Sequence, residues 1–292
     1  MGNCSTHSPA IFKVGRILCF EFWTCSPVAL AELQTGIHNY IMDLFIITGG
    51  SKGLGEQVCL QALEKGHQVI NLSRSRPNIR SSQFKHITAD FSLGLKTIQK
   101  VESVLENVDL SPFKKVHLIN NAALINPVGS LVDLDPAEMN THLVTNLISP
   151  LLLSQVCARL TTEEKKPLTI FNIGSGASFR PIAGWSMYCS SKAGLKMFTE
   201  NTDLDLQTAK NKKIKIYHFS PGVLDTQMQQ TIRGLKKKDF PDVANFKKLK
   251  SDHQLRDPAD VASLVVRFCL SSQAFKSQSC LLSVQDLEGS LK

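Results

Sequence analysis

Tyr188 and Lys192 stand four residues apart in the stretch "SGASFRPIAGWSMYCSSK". On a helix this spacing puts both side chains on one face. A tyrosine hydroxyl with an ordinary pKa near 10 is a poor acid–base catalyst at neutral pH. A neighbouring ammonium favours the phenolate and is expected to lower that pKa. Ser175, at the end of an apolar run, is placed to hold a carbonyl oxygen beside the tyrosine hydroxyl. The chemistry these three groups suggest is proton transfer to a carbonyl. Tyr-x-x-x-Lys by itself recurs by accident on amphipathic helices, so its weight depends on what accompanies it.

A second motif accompanies it. In "ITGGSKGLG" (47–55), Gly49, Gly53 and Gly55 follow the apolar run "LFII". Gly49 permits a tight turn. Gly53 and Gly55 let a pyrophosphate and a helix approach closely, and the helix N-terminus supplies free N–H groups and a positive dipole. The next strand ends in "NLSRSR" with Ser73, Arg74 and Arg76 and no carboxylate. An acidic residue there commonly bonds the ribose 2′-hydroxyl of NAD, whereas guanidinium groups suit a 2′-phosphate. With Lys52 as a second cation in the glycine loop, the expected cofactor is NADP(H).

The elements that must position these groups alternate between strand and helix. Strands are expected at 44–48, 67–73, 84–90, 114–121, 167–175, 213–222 and 280–284. Helices are expected at about 54–65, 95–108, 136–160, 187–209 and 258–270, with Pro150 breaking the third. Such alternation implies an α/β fold, one doubly wound parallel sheet covered on both faces. Its ligands bind beyond the carboxyl ends of the strands. Residues 227–256 ("GLKKKDF", "FKKLK") are polar and lysine-rich, and read as a lid over the site or a solvated insertion.

The 292 residues carry a net charge of +8, with 42% hydrophobic and 20% charged residues, which suits one large soluble domain. The charge is too diffuse for a nucleic-acid surface. The eight cysteines form no C-x-x-C pair and read as reduced thiols of a cytoplasmic protein with no metal site. The best membrane-span candidate, 11–31, carries Lys13, Arg16, Glu21 and Pro27, so no membrane partner is expected. Residues 1–41 show no clear period and read as an extra or disordered segment, with Met42 as the start of the domain. Arg16 with "ALA" (29–31) weakly suggests a signal peptide, and "MGNCST" weakly suggests myristoylation.

From Met42 onward the chain resembles the short-chain dehydrogenase/reductase family. "TGGSKGLG" is similar to its cofactor loop, "NNAA" (120–123) to its signature after the fourth strand, and "SPGVLDT" (220–226) to its segment beside the nicotinamide. The resemblance implies a catalytic tetrad of Asn146, Ser175, Tyr188 and Lys192. Tyr188 would donate the proton, Ser175 orient the carbonyl, Lys192 hold the ribose and lower the tyrosine pKa, and Asn146 maintain a water path. It also implies cofactor contacts from Thr48, Gly49, Ser51, Lys52, Gly53, Leu54, Gly55, Arg74, Asp90, Asn120, Ala122, Tyr188, Lys192, Pro221, Gly222, Val223 and Thr226. Asp90 would meet the adenine, although "ADF" also fits a helix cap.

"GWSMYCSSKAG", "SPGVLDTQMQQTIR" and "FKS" (275–277) resemble sepiapterin reductases and benzil reductases in particular. Where the former carry a pterin-anchoring aspartate, counting places Leu282, with Asp286 four residues on. The expected function is reduction of a small-molecule ketone, a diketone or a pterin side chain, by a homodimer or homotetramer. A non-catalytic NADP(H)-binding regulator and a steroid or secondary-alcohol dehydrogenase are the alternatives. The last would call for a larger apolar lid.

Overall fold

The computed structural model describes residues 42–271 and 279–290; readings that fall on 1–41 or on "FKS" lie outside them. Seven strands form one parallel sheet in the order β3-β2-β1-β4-β5-β6-β7. They are β1 (Met42–Thr48), β2 (Gln68–Ser73), β3 (Phe84–Thr88), β4 (Phe113–Asn120), β5 (Leu168–Ile173), β6 (Ile214–Ser220) and β7 (Leu281–Ser283). The helices are α1 (Gly53–Glu64), α2 (Leu95–Leu105), α3 (Pro136–Leu143), α4 (Ser149–Glu163), α5 (Ser186–Thr208), α6 (Gln227–Arg233), α7 (Val243–Ser251), α8 (Pro258–Leu270) and α9 (Val284–Ser290). The doubly wound parallel sheet is the expected fold. The order turns between β1 and β4, where such sheets open a crevice.

The apolar run of β1 explains the two-sided cover. Alternate side chains point to opposite faces. Phe45 and Ile47 join a buried cluster with Val58 of α1 and Val265 of α8. Leu44 and Ile46 join another with Ile98 of α2 and Leu153 of α4. A strand buried on both faces has no polar alternation to show.

Three expectations need adjustment. The break near Pro150 takes the form of a π turn, Val144–Ile148, ahead of the proline. Pro150 has no N–H to give to the carbonyl four residues back, and the Ser149 N–H reaches the Val144 carbonyl instead. The run 136–163 is long and apolar enough to cross a membrane, yet its buried face packs on the sheet. The last strand is followed by α9, a short helix with no strong sequence period.

The lysine-rich lid proves two-faced. Its lysines lie mostly outward, while Ile232, Phe240 and Val243 are buried against Trp185 and Tyr188. The apolar inner wall missing from the sequence reading is therefore present. At the base, Leu224 bridges Arg256; the Arg256 N–H donates to the Val223 carbonyl and the Asp225 N–H to the Arg256 carbonyl, each at 2.9 Å.

Candidate active site

The glycine loop joins β1 to α1 with Gly49 at φ 69° and Gly53 at φ 59°, left-handed conformations that favour glycine. At Gly55 the constraint is space: a β-carbon would lie 2.6 Å from the Gly49 carbonyl oxygen. Thr48 does not line the cleft. Its hydroxyl accepts from the backbone N–H groups of Asn121 and Ala122, each at 2.9 Å, and so stitches the loop after β1 to the loop after β4.

Asn120 turns into the protein, where its amide donates to Asn172 at 2.8 Å and Ser154 at 3.1 Å. Its neighbour Asn121 lines the cleft instead, and its amide donates to the Thr48 carbonyl at 2.9 Å. Asn71, which the sequence reading passed over, is fully buried on β2. Its side-chain oxygen accepts from the Gly50 N–H at 3.0 Å, and its amide donates to the Ser73 hydroxyl at 2.9 Å. One side chain thus ties the phosphate loop to the strand end that carries Arg74. A lone Asn in an apolar strand was the signal for it.

A cleft of about 630 Å³ opens over these strand ends. Ser51, Lys52, Gly53 and Leu54 line it, as do Ser73, Arg74 and Asp90 from the ends of β2 and β3. Arg74 is exposed, whereas Arg76 does not line the cleft. Lys52 hydrogen-bonds to Gln227 at the start of the lid. Asp90 caps the following turn, accepting from the Ser92 N–H at 3.0 Å and hydroxyl at 2.7 Å. Ala122, Pro221, Gly222, Val223 and Thr226 complete the loops around the middle of the cleft. The unoccluded glycine backbone, the helix N-terminus and the exposed cation fit a dinucleotide.

At the other end, Ser175 closes β5 and caps a short turn, accepting from the Ala177 N–H at 3.1 Å. Tyr188 and Lys192 share a face of α5, are almost fully buried and border the same cleft. The Ser175 side chain acts on the Tyr188 hydroxyl in the direction that favours the phenolate. Lys192 donates to the Ile173 carbonyl at 2.7 Å, with its ammonium 5.8 Å from the tyrosine ring centre. The expected lowering of the tyrosine pKa does not hold for the protein on its own. Burial pushes it up to about 12, opposed in part by Ser175. Burial also pulls Lys192 down to about 8. Both shifts follow from removing charge from water.

Asn146 sits in the π turn, buried behind the cleft. Its oxygen accepts from the Leu124 N–H, and its amide donates to the Leu124 carbonyl, both at 2.8 Å. Its amide also lies 3.0 Å from Nε2 of the buried His142, whose Nδ1 donates to the Asn126 carbonyl at 2.6 Å. Trp185 stacks on Phe240 of the lid, ring centres 4.7 Å apart, and meets Tyr188 edge-on. Leu282 is buried in the core, and Asp286 caps α9 by accepting from Ser283; neither lines the cleft.

The short chain dehydrogenase family model matches residues 43–236. The chain is 39% identical over 225 residues to benzil reductase ((S)-benzoin forming) of Bacillus subtilis, covering 77% of this chain and 92% of that one. It is 28% identical to sepiapterin reductase of Meriones unguiculatus, covering 80% and 92% of the two chains. A solved structure of 4-hydroxyisoleucine dehydrogenase complexed with NADH superposes with a TM-score of 0.69 at 22% identity, covering 82% of this chain and 96% of that one. The chain belongs to the short-chain dehydrogenase/reductase family. It is an oxidoreductase acting on carbonyl or CH–OH groups, and the cofactor of such a fold is NAD(P)H.

Proposed function

We propose that the protein is an NADPH-dependent carbonyl reductase acting on one ketone of a small diketone whose body is largely apolar. The supporting observation is the meeting of Ser175, Tyr188 and Lys192 with an aromatic wall in one cleft. The likeness to benzil reductase supports the diketone. Arg74, with no carboxylate at the end of β2, supports the 2′-phosphate cofactor.

When bound, NADPH supplies the hydride. Gly49, Gly53 and the N-terminus of α1 would hold its pyrophosphate, Arg74 its 2′-phosphate, and Lys192 its nicotinamide ribose. The Ser175 hydroxyl holds the substrate carbonyl oxygen, and Tyr188 gives that oxygen its proton. Asn146, in the π turn, keeps the proton path to Lys192 open. Trp185, Phe240 and Phe246 keep water from the reacting carbon. Among the described residues, no carboxylate lines this end of the cleft, which disfavours a pterin, whose amino-substituted ring calls for an acidic anchor. By the same family reasoning the enzyme is a cytoplasmic homodimer or homotetramer. Exposed Ile148 in the π turn and exposed Met197 and Leu204 on α5 are available for such contacts. Sedimentation would test this.

The deciding experiment follows NADPH absorbance with benzil and with sepiapterin. Faster turnover of benzil is expected. A higher kcat/KM for sepiapterin, or equal use of NADH, would reject the corresponding part of the reading.

A further inference from the structure

The cleft carries more cations than carboxylates. Among the described residues, Lys52, Arg74, Lys192 and Arg180 are the cations lining it, against a single lining carboxylate, Asp90. Asp90 stands at the end of β3 and already accepts from Ser92. Lys52 and Arg74 belong to the dinucleotide end, and Lys192 is buried against Ile173.

Arg180 remains. It lies on the loop between Ser175 and Trp185, is exposed, and makes no hydrogen bond or ion pair among the described residues. Two other donors of the same region are buried without partners: Nε1 of Trp185 and Nε2 of Gln229. The Gln229 oxygen accepts from Arg233 at 2.7 Å, which leaves the NH₂ as the free end of that amide. Buried donors normally have acceptors, so this region has polar capacity that the protein alone does not use. Around it Ile125, Ile182, Met228 and Phe246 supply apolar surface.

We infer that the substrate is an aromatic ketone bearing a carboxylate away from the reacting carbonyl, and that Arg180 reads the carboxylate. A planar guanidinium matches a carboxylate in two parallel hydrogen bonds, and among the described residues no acid at this end of the cleft competes for it. The inference deepens the diketone reading and rests on it for the identity of the reacting group. Arg180 selects among substrates and takes no part in the proton transfer.

The test compares benzil with 4-carboxybenzil, which differ only in the carboxylate. Two ratios are measured in the wild type, Arg180→Ala and Arg180→Glu. One is kcat/KM, read from NADPH absorbance. The other is affinity, read from the fluorescence of Trp185, since the only other tryptophan is Trp23. The wild type should favour the carboxylated diketone by roughly three- to fivefold at low salt, in the range of a solvent-exposed ion pair, and less at high salt. The preference should vanish in Arg180→Ala and reverse in Arg180→Glu. A wild-type affinity ratio at or below one, or a ratio indifferent to Arg180, overturns the inference. If benzil is reduced but the ratio ignores Arg180, the inference alone falls. If neither diketone is reduced while the affinity ratio follows Arg180, the carboxylate site stands and the diketone reading falls.

Discussion

Tyr188 and Lys192 are buried polar groups whose environment opposes their charged forms, and both consequences can be measured. Tyr188→Phe removes one hydroxyl and leaves the ring packing on Trp185. Turnover should fall by about two to four orders of magnitude, the range for a lost general acid, while NADPH binding persists. Near-normal kcat would remove Tyr188 from its role. Lys192 presents a cost to the fold. Its drop from 10.5 to about 8 amounts to roughly 3 kcal/mol at ~1.4 kcal/mol per unit. At Lys192 the unfolded chain holds more protons than the native one between pH 8 and 10.5, so the contribution of this group to stability rises with pH through that window, and its full cost is felt below it. Lys192→Met should melt several degrees higher than wild type at pH 7, by less at pH 9.5, and be inactive. Equal melting at pH 7 would show that the hydrogen bond to Ile173 offsets the burial. At the ribose end, Arg74→Ala should raise the KM for NADPH by about tenfold, the scale of one charge-assisted hydrogen bond, and leave that for NADH nearly unchanged. Parallel changes would refute 2′-phosphate recognition by Arg74. Lys52, engaged with Gln227, should matter less.

The lid joins sequence to specificity at the scale of an element. Phe240 is fully buried, stacked on Trp185 and in edge contact with Phe246. Phe240→Ala should loosen α6 and α7 without unfolding the sheet. The expected result is a several-fold rise in KM for the apolar ketone, little change in NADPH affinity, and faster amide exchange confined to residues 227–251. Global loss of stability by the ~3–5 kcal/mol of a rigid aromatic core deletion would instead make the lid part of the main core. This face was hard to read in advance because its apolar residues are spaced across two short helices and a turn, with lysines between them. The strands and long helices were legible because each has a single period or an unbroken apolar run. The glycine loop, Ser175, Tyr188 and Lys192 were legible because each motif sets its own local geometry. Asn71, Asn121 and the polar shell around Asn146 were not, since their partners are tens of residues away and only tertiary structure joins them.

At the scale of the molecule, both sheet faces and the family match lie within residues 42–292. We propose that these residues suffice for the activity. A chain lacking 1–41 should fold, bind NADPH and turn over substrate at close to the full rate; insolubility or lost cofactor binding would place essential contacts in the first segment. Another division follows from the bridge between Leu224 and Arg256. Those residues leave and re-enter the fold side by side, so the chain between them is a cassette inserted at one seam. Its length and sequence can drift with little consequence for strand registers, which are set elsewhere. A lid of about thirty contiguous residues from a relative should therefore be graftable at this seam, and the ketone preference of the graft is expected to follow the lid while the sheet melts as before.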